Sequence, residues 1–200
     1  MNNKRLGIGF IGGGFITRFH IQSLLAVRDV DVIGVMSKTL KSAEESADLA
    51  NQIGVGDNAK AYKSITDMIA DPKINALWVC SPNFARIETF EEIANAISSG
   101  MGELIGVTCE KPLGRNFNEA KRVLELTKEV GLLDGYLENQ VFSPSIVRGK
   151  EIIWSRGAGT TGRPLSLIHI SEPTRPERIA YAGVGVEKKR GGGGGGGGGG

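Results

Sequence analysis

The 200-residue chain is poor in cysteine, histidine and aromatic side chains. Its two cysteines, Cys80 and Cys109, lie inside apolar runs, which excludes a disulfide-stapled scaffold and fits a reduced, cytoplasmic protein. Two histidines, His20 and His169, are too few for a histidine-based metal centre, so no metal site is expected. His20 falls inside a helical pattern and reads as a packing residue rather than a catalytic one, which also argues against a Ser-His-Asp triad. No apolar run approaches the ~20 residues of a membrane span. Met1-Asn-Asn-Lys-Arg5 runs directly into a strand-like segment without the pattern of a signal peptide. No membrane association is expected.

Charge of one sign is lacking too. The chain carries 24 basic and 22 acidic residues, and the small excess sits near its end. Residues 165–200 hold Arg175, Arg178, Lys188, Lys189 and Arg190 against Glu172, Glu177 and Glu187, leaving 19 residues of each sign before them. A balanced body implies no nucleic-acid partner. Leu165-Ser-Leu-Ile-His-Ile-Ser-Glu-Pro-Thr-Arg175 can be encoded by DNA that looks like the end of a transposase sequencing adapter, and Gly191–Gly200 fits a run of GGG codons. The segment 165–200 is therefore read as a non-native, disordered tail, the alternative being a natural glycine-rich linker. Residues 1–164 are read as one domain, long enough for a sizeable core.

Glycine is present where it carries information. Gly12-Gly13-Gly14 closes the apolar run Leu6–Ile11 and precedes an amphipathic segment, the layout of a βαβ nucleotide-binding unit. Gly12 can adopt a backbone conformation closed to other residues, and Gly14 lacks a Cβ, which lets a pyrophosphate approach the main chain. The following helix would aim free N–H groups and about half a positive charge at that anion. Gly12-Gly13-Gly14-Phe15-Ile16-Thr17 matches G-x-G-x-x-G/A except at Thr17, which is expected to loosen the close packing that glycine allows there.

Strand and helix patterns alternate along the body. Strands are expected over Leu6–Ile11, Asp31–Met36, Ala76–Cys80, Leu104–Cys109 and Leu133–Leu137. Helices are expected over Phe15–Val27, from a Thr39 or Ser42 cap to Ile53, from Ser64 to Ala70, over Ala85–Ser99, over Asn118–Val130 with Asn116 as cap, and from Ser143-Pro144 to Arg156. Gly54, Gly100 and Gly131 mark helix ends. This order predicts an α/β fold, a doubly wound parallel (Rossmann) sheet with helices on both faces. Ligands in such sheets bind at the carboxyl ends of the strands, which selects the loops Gly12–Phe15, Ser37–Lys38, Ser81–Asn83, Glu110–Pro112 and Glu138–Gln140.

The second loop bears on cofactor choice. An acid after the second strand would accept hydrogen bonds from the ribose hydroxyls of NAD, but Ser37 and Lys38 stand there. Serine can hydrogen-bond a 2′-phosphate and lysine can neutralise it, so NADP is slightly favoured over NAD. Ser81, Pro82 and Asn83 are expected to contact the ribose or nicotinamide side.

Three motifs in order resemble the Gfo/Idh/MocA family of NAD(P)-dependent oxidoreductases: Gly9-Phe-Ile-Gly-Gly-Gly14, Asp71-Pro72 followed by Ala76-Leu-Trp-Val-Cys-Ser-Pro-Asn83, and Glu110-Lys111-Pro112. The resemblance implies that Lys111 lies between nicotinamide and substrate as the acid/base, that Glu110 positions the cofactor or that lysine, and that Pro112 follows a cis bond. Gly12, Gly14, Phe15, Ile16, Ser37, Lys38, Ser81, Pro82, Asn83, Glu110, Lys111 and Pro112 form the expected cofactor site. Tyr136–Phe142 resembles one branch of the family, adding Asn139 as a cofactor contact and Gln140 beside it. The family's second, α+β substrate domain is missing from this reading. The expected function is the dinucleotide-binding half of an oxidoreductase for a sugar- or polyol-like small molecule, without useful turnover alone, whose full-length form is a candidate homo-oligomer. A non-catalytic dinucleotide-binding module is the alternative.

Overall fold

The computed structural model describes residues 5–154; the expected tail, 165–200, and the expected domain end at Pro164 lie outside them. These residues divide into two units, one running to Glu138 and the other starting at Asn139.

In the first unit, β1 (Leu6–Ile11) leads through α1 (Phe15–Ser23) to β2 (Val30–Met36), and α2 (Leu40–Gln52) leads to β3 (Gly56–Tyr62). The chain then crosses back by α3 (Ile65–Ile69) to β4 (Ala76–Val79). Helix α4 (Arg86–Ser98), β5 (Gly106–Glu110), α5 (Phe117–Glu129) and β6 (Leu133–Leu137) complete the unit. All pairings are parallel, in the order β3-β2-β1-β4-β5-β6. Successive strands step away from β1 in opposite directions, so β1 and β4 flank the switch point of a doubly wound sheet. In the second unit, a 3₁₀ turn at Asn139–Phe142 precedes α6 (Pro144–Ile152).

Side-chain alternation along the strands builds two apolar layers. Ile8 and Phe10 of β1 join Ile21, Val32, Val35, Ala43 and Ala47 in the layer shared with α1 and α2. Ile11 joins Met68, Leu77, Val79, Phe90, Ile93, Val107 and Leu126 in the layer shared with α3, α4 and α5. Phe10 is fully buried and stacks on Trp78, with ring centroids 5.2 Å apart.

Local chemistry sets the helix ends. The Thr39, Ser64 and Asn116 side chains accept hydrogen bonds from the backbone N–H of Ser42, Asp67 and Glu119, satisfying donors that the first helical turn leaves free. Gly54, Gly100 and Gly131 follow helices with φ of 78°, 72° and 69°, a conformation that costs glycine little.

Two expectations differ from the structure. The first helix stops at Ser23, where the Ser23 hydroxyl donates to Phe19 O, and Leu24–Ala26 form a tighter 3₁₀ turn instead of continuing to Val27. Strand β3 has no counterpart in the sequence reading. Gly56-Asp-Asn-Ala-Lys-Ala-Tyr62 lacks an apolar run, and Asn58 breaks it with φ 51°. The Asn51 side chain holds this strand by accepting from Ala59 N and donating to Ala59 O, at 2.8 and 2.9 Å.

Phe10→Ala is expected to lower unfolding stability by about 3–5 kcal/mol through lost burial and a cavity. A urea titration followed by far-UV circular dichroism reads it, and an unchanged midpoint would contradict the two-layer core.

Candidate functional site

All six parallel strands end on the carboxyl edge of the sheet. At the first, β1 ends at Ile11 and Gly12 turns with φ 112°, the left-handed region expected for it. Gly12 N donates to Met36 O at the end of β2, and Cys80 N donates to Ile11 O, both at 2.7 Å. A Cβ on Gly12 would lie 3.0 Å from the Cys80 carbonyl carbon and 3.1 Å from Ser81 N. The first glycine thus allows two loops to meet backbone to backbone. Gly14 is exposed, and a Cβ there would meet nothing within 4 Å. It precedes α1, whose first residues, Phe15 and Ile16, are 83 % exposed and half-buried respectively.

Thr17 overturns one expectation. It is fully buried, and its hydroxyl donates to Gly12 O at 2.8 Å. Threonine therefore tightens the turn, replacing close glycine packing with a hydrogen bond to its first carbonyl. Gly13 O is held from the other side by the Ser42 and Ser46 hydroxyls of α2, at 2.6 and 3.2 Å.

At the end of β2, Ser37 is half-buried and Lys38 exposed, just before the Thr39 cap of α2. At the end of β4, Ser81 is buried, Pro82 exposed and Asn83 half-buried at the start of a 3₁₀ turn. Burial pushes the Cys80 thiol up to about 12 and the Cys109 thiol up to about 11, which disfavours the thiolate at both positions.

The end of β5 is the most organised part of the edge. Glu110 is 8 % exposed; its Oε2 accepts from Lys111 N at 3.0 Å, and its Oε1 lies 2.6 Å from His20 Nε2. Lys111 itself is exposed, and the Lys111–Pro112 peptide bond is cis, as the resemblance implied. Arg86, only 3 % exposed, joins this loop to the preceding one: its Nε donates to Ser81 O at 3.3 Å and its Nη2 to Lys111 O at 3.4 Å. The structure thus brings together the loops at Gly12, Ser81 and Lys111. Asn139 lies exposed in the second unit.

Sequence reasoning missed Arg86 as a loop tie. Its position four residues before Phe90 and seven before Ile93 places it on the buried stripe of α4, and that spacing was the available signal. His20 is a packing residue, as expected, lying 5.0 Å from the Trp78 ring, but it is also the partner of Glu110.

Among the described residues, no group of three or more His, Cys, Asp or Glu is placed to hold a metal ion, and no helix is long and apolar enough to cross a membrane. The glycine turn fits a dinucleotide: Gly14 leaves the main chain open where α1 begins, and helix N-termini favour anions.

A doubly wound parallel sheet with a glycine turn at its switch point is the architecture of a dinucleotide-binding domain. The chain belongs to the Gfo/Idh/MocA oxidoreductase family, whose NAD-binding Rossmann-fold model matches residues 6–134. It is 30% identical over 179 residues to a myo-inositol 2-dehydrogenase of Thermotoga maritima, covering 88% of this chain and 48% of that protein. It is 27% identical over 170 residues to a levoglucosan dehydrogenase of Pseudarthrobacter phenanthrenivorans, covering 82% of this chain and 40% of that protein. Among solved structures, GenD2 from gentamicin A biosynthesis in complex with NAD superposes with a TM-score of 0.63 at 25% identity, over 78% of this chain and 40% of that one. The chain therefore spans about half the length of the curated relatives it matches. Its cofactor class is the nicotinamide dinucleotides, and it is related to sugar and polyol dehydrogenases.

Gly14→Ala is expected to change stability by no more than about 1 kcal/mol while weakening dinucleotide binding at least roughly tenfold. Gly12→Ala is expected to weaken both, since strain at a positive φ costs about 1–3 kcal/mol before the contact with Cys80 is counted. Urea unfolding and quenching of reduced-dinucleotide fluorescence separate the two. Parental affinity in Gly14→Ala would show that the pyrophosphate sits elsewhere.

Proposed function

We propose that this chain is the cofactor-binding part of an enzyme that moves a hydride between NADP or NAD and the hydroxyl-bearing carbon of a sugar or polyol, with Lys111 as acid/base. The observation that carries the proposal is the anchoring of the Lys111 main chain on both sides, its N–H by Glu110 and its C=O by Arg86, on the edge that also carries the glycine turn. An exposed lysine with a restrained backbone suits a group that must meet a substrate at a fixed place. Gly12, Gly14, Phe15 and Ile16 would hold the pyrophosphate side, Ser37 and Lys38 the adenosine ribose, and Ser81, Pro82, Asn83, Glu110 and Pro112 the remainder.

Bound nicotinamide supplies the hydride acceptor. In the oxidation direction the substrate C–H bond breaks as its hydroxyl becomes a carbonyl, and the hydroxyl proton passes to the Lys111 Nζ amine. In reduction the Lys111 ammonium returns that proton to the new alkoxide. The names of the relatives, an inositol and a levoglucosan dehydrogenase, support a polyhydroxylated substrate. Because this chain matches about half of each relative, turnover is expected only in a protein of their full length.

In such a full-length enzyme, Lys111→Met is expected to lower kcat at least about a thousandfold, within the range general acid–base catalysis supplies, with NADP affinity retained. Unchanged turnover would remove Lys111 from the mechanism, whereas a parent protein that binds the dinucleotide but shows no turnover would favour a non-catalytic dinucleotide-binding module.

Cofactor choice is testable on this chain directly. A charge-assisted contact from Lys38 to a 2′-phosphate, with Ser37 beside it, is expected to make NADPH bind roughly tenfold more tightly than NADH. A fluorescence titration of both decides, and tighter NADH binding would refute the reading of Ser37-Lys38.

A further inference from the structure

We propose that His20 is a positioning residue for Lys111, acting through Glu110; the inference rests on the acid/base reading of that lysine. His20 lies on the inner face of α1 beside buried Thr17 and Ile21, and its imidazole is 2.6 Å from Glu110 Oε1 across 90 residues of sequence. Both side chains are 11% exposed. A carboxylate oxygen accepts, so the His20 Nε2–H donates to Glu110.

The geometry gives this pair a directed end. One carboxylate oxygen takes the imidazole, and the other takes the backbone N–H of Lys111 at 3.0 Å. With His20 removed, Glu110 Oε1 loses its partner in a site shielded from water. A carboxylate in that position is expected to rotate toward solvent, because an unmet buried acceptor is more costly than a single bond is favourable. That rotation withdraws Oε2 from Lys111 N and frees the peptide that carries the lysine. The packing surface of His20 is separable from this role. Trp78, with ring centroid 5.0 Å away, can meet a leucine as it meets the imidazole, but leucine cannot donate.

The same helix begins at the glycine turn, whose Gly14 O accepts from Arg18 N. Helix α1 therefore carries the dinucleotide-facing turn at one end and the Glu110 restraint a turn further on. It sets the lysine loop and the cofactor loop in one frame.

The test compares His20→Leu, His20→Gln, His20→Asn and Lys111→Met in the full-length enzyme, with NADP affinity and thermal midpoint measured beside kcat. His20→Leu is expected to lower kcat roughly tenfold with NADP affinity within about threefold of the parent. His20→Gln is expected to recover most of that loss, since its amide N–H reaches as far as Nε2. The shorter His20→Asn is expected to recover little. If His20→Leu does not fold, the Gln and Asn pair still decides, because higher kcat in Gln at equal affinity supports the donor role. Parental kcat in a folded His20→Leu, or equal kcat in Gln and Asn, overturns the positioning role while Lys111→Met remains inactive. Full activity in Lys111→Met overturns the lysine reading and this inference with it.

Discussion

Gly12 leaves β1 in a left-handed conformation with its Cα against the Cys80 carbonyl, and a side chain there would sit 3.0 Å from that carbonyl carbon. The contact lies at the switch point, between the two strands from which the sheet grows in opposite directions. Because the approach is backbone to backbone, the distance between the first and third loops is fixed by main-chain geometry and not by adaptable side chains. The remaining loops are arranged relative to that junction: Met36 O takes the Gly12 N–H, and Ser81 O takes the Arg86 guanidinium that also reaches Lys111.

Polar side chains hold this edge, and almost all of their bonds end on main chain. Thr17 grips Gly12 O, Ser42 and Ser46 grip Gly13 O, Arg86 grips two carbonyls, and Glu110 takes a peptide N–H. A single bond of this kind contributes only about 1 kcal/mol net, or about 1.5–3 kcal/mol when one partner is charged. Their importance lies in the asymmetry of that figure: an unmet buried acceptor or charge is penalised more heavily than a met one is rewarded. Such an edge tolerates few alternative loop conformations, which suits a dinucleotide-binding edge.

The sequence disclosed what is local. Thr39, Ser64 and Asn116 as caps and Gly54, Gly100 and Gly131 as stops were legible because each acts within one turn of its own helix. The order of the other strands and of the helices, and hence the selected loops of the carboxyl edge, followed from hydrophobic period together with caps and turn residues. Strand β3 was not legible: its apolar content is low, and it is held by pairing with β2 and by the Asn51 side chain. Thr17 was misread because a glycine fingerprint records which residue is absent, not which hydrogen bond replaces it. The His20–Glu110 contact spans 90 positions, and Arg86 is a charge on a buried stripe; neither has a local signature strong enough to outweigh the ordinary expectation for its residue type.

Strand β6 stands apart from the rest of the sheet. It pairs with β5 on one side, and Leu133 and Tyr136 are 70% and 52% exposed, whereas β1 is flanked on both sides and keeps Phe10 and Ile11 at 0% and 2%. Such a gradient of burial is a gradient of local opening free energy. Amide protection against solvent exchange is therefore expected to fall from β1 outward to β6. The glycine turn thus follows directly from the most deeply buried strand, and the most exposed strand lies furthest along the strand order from it.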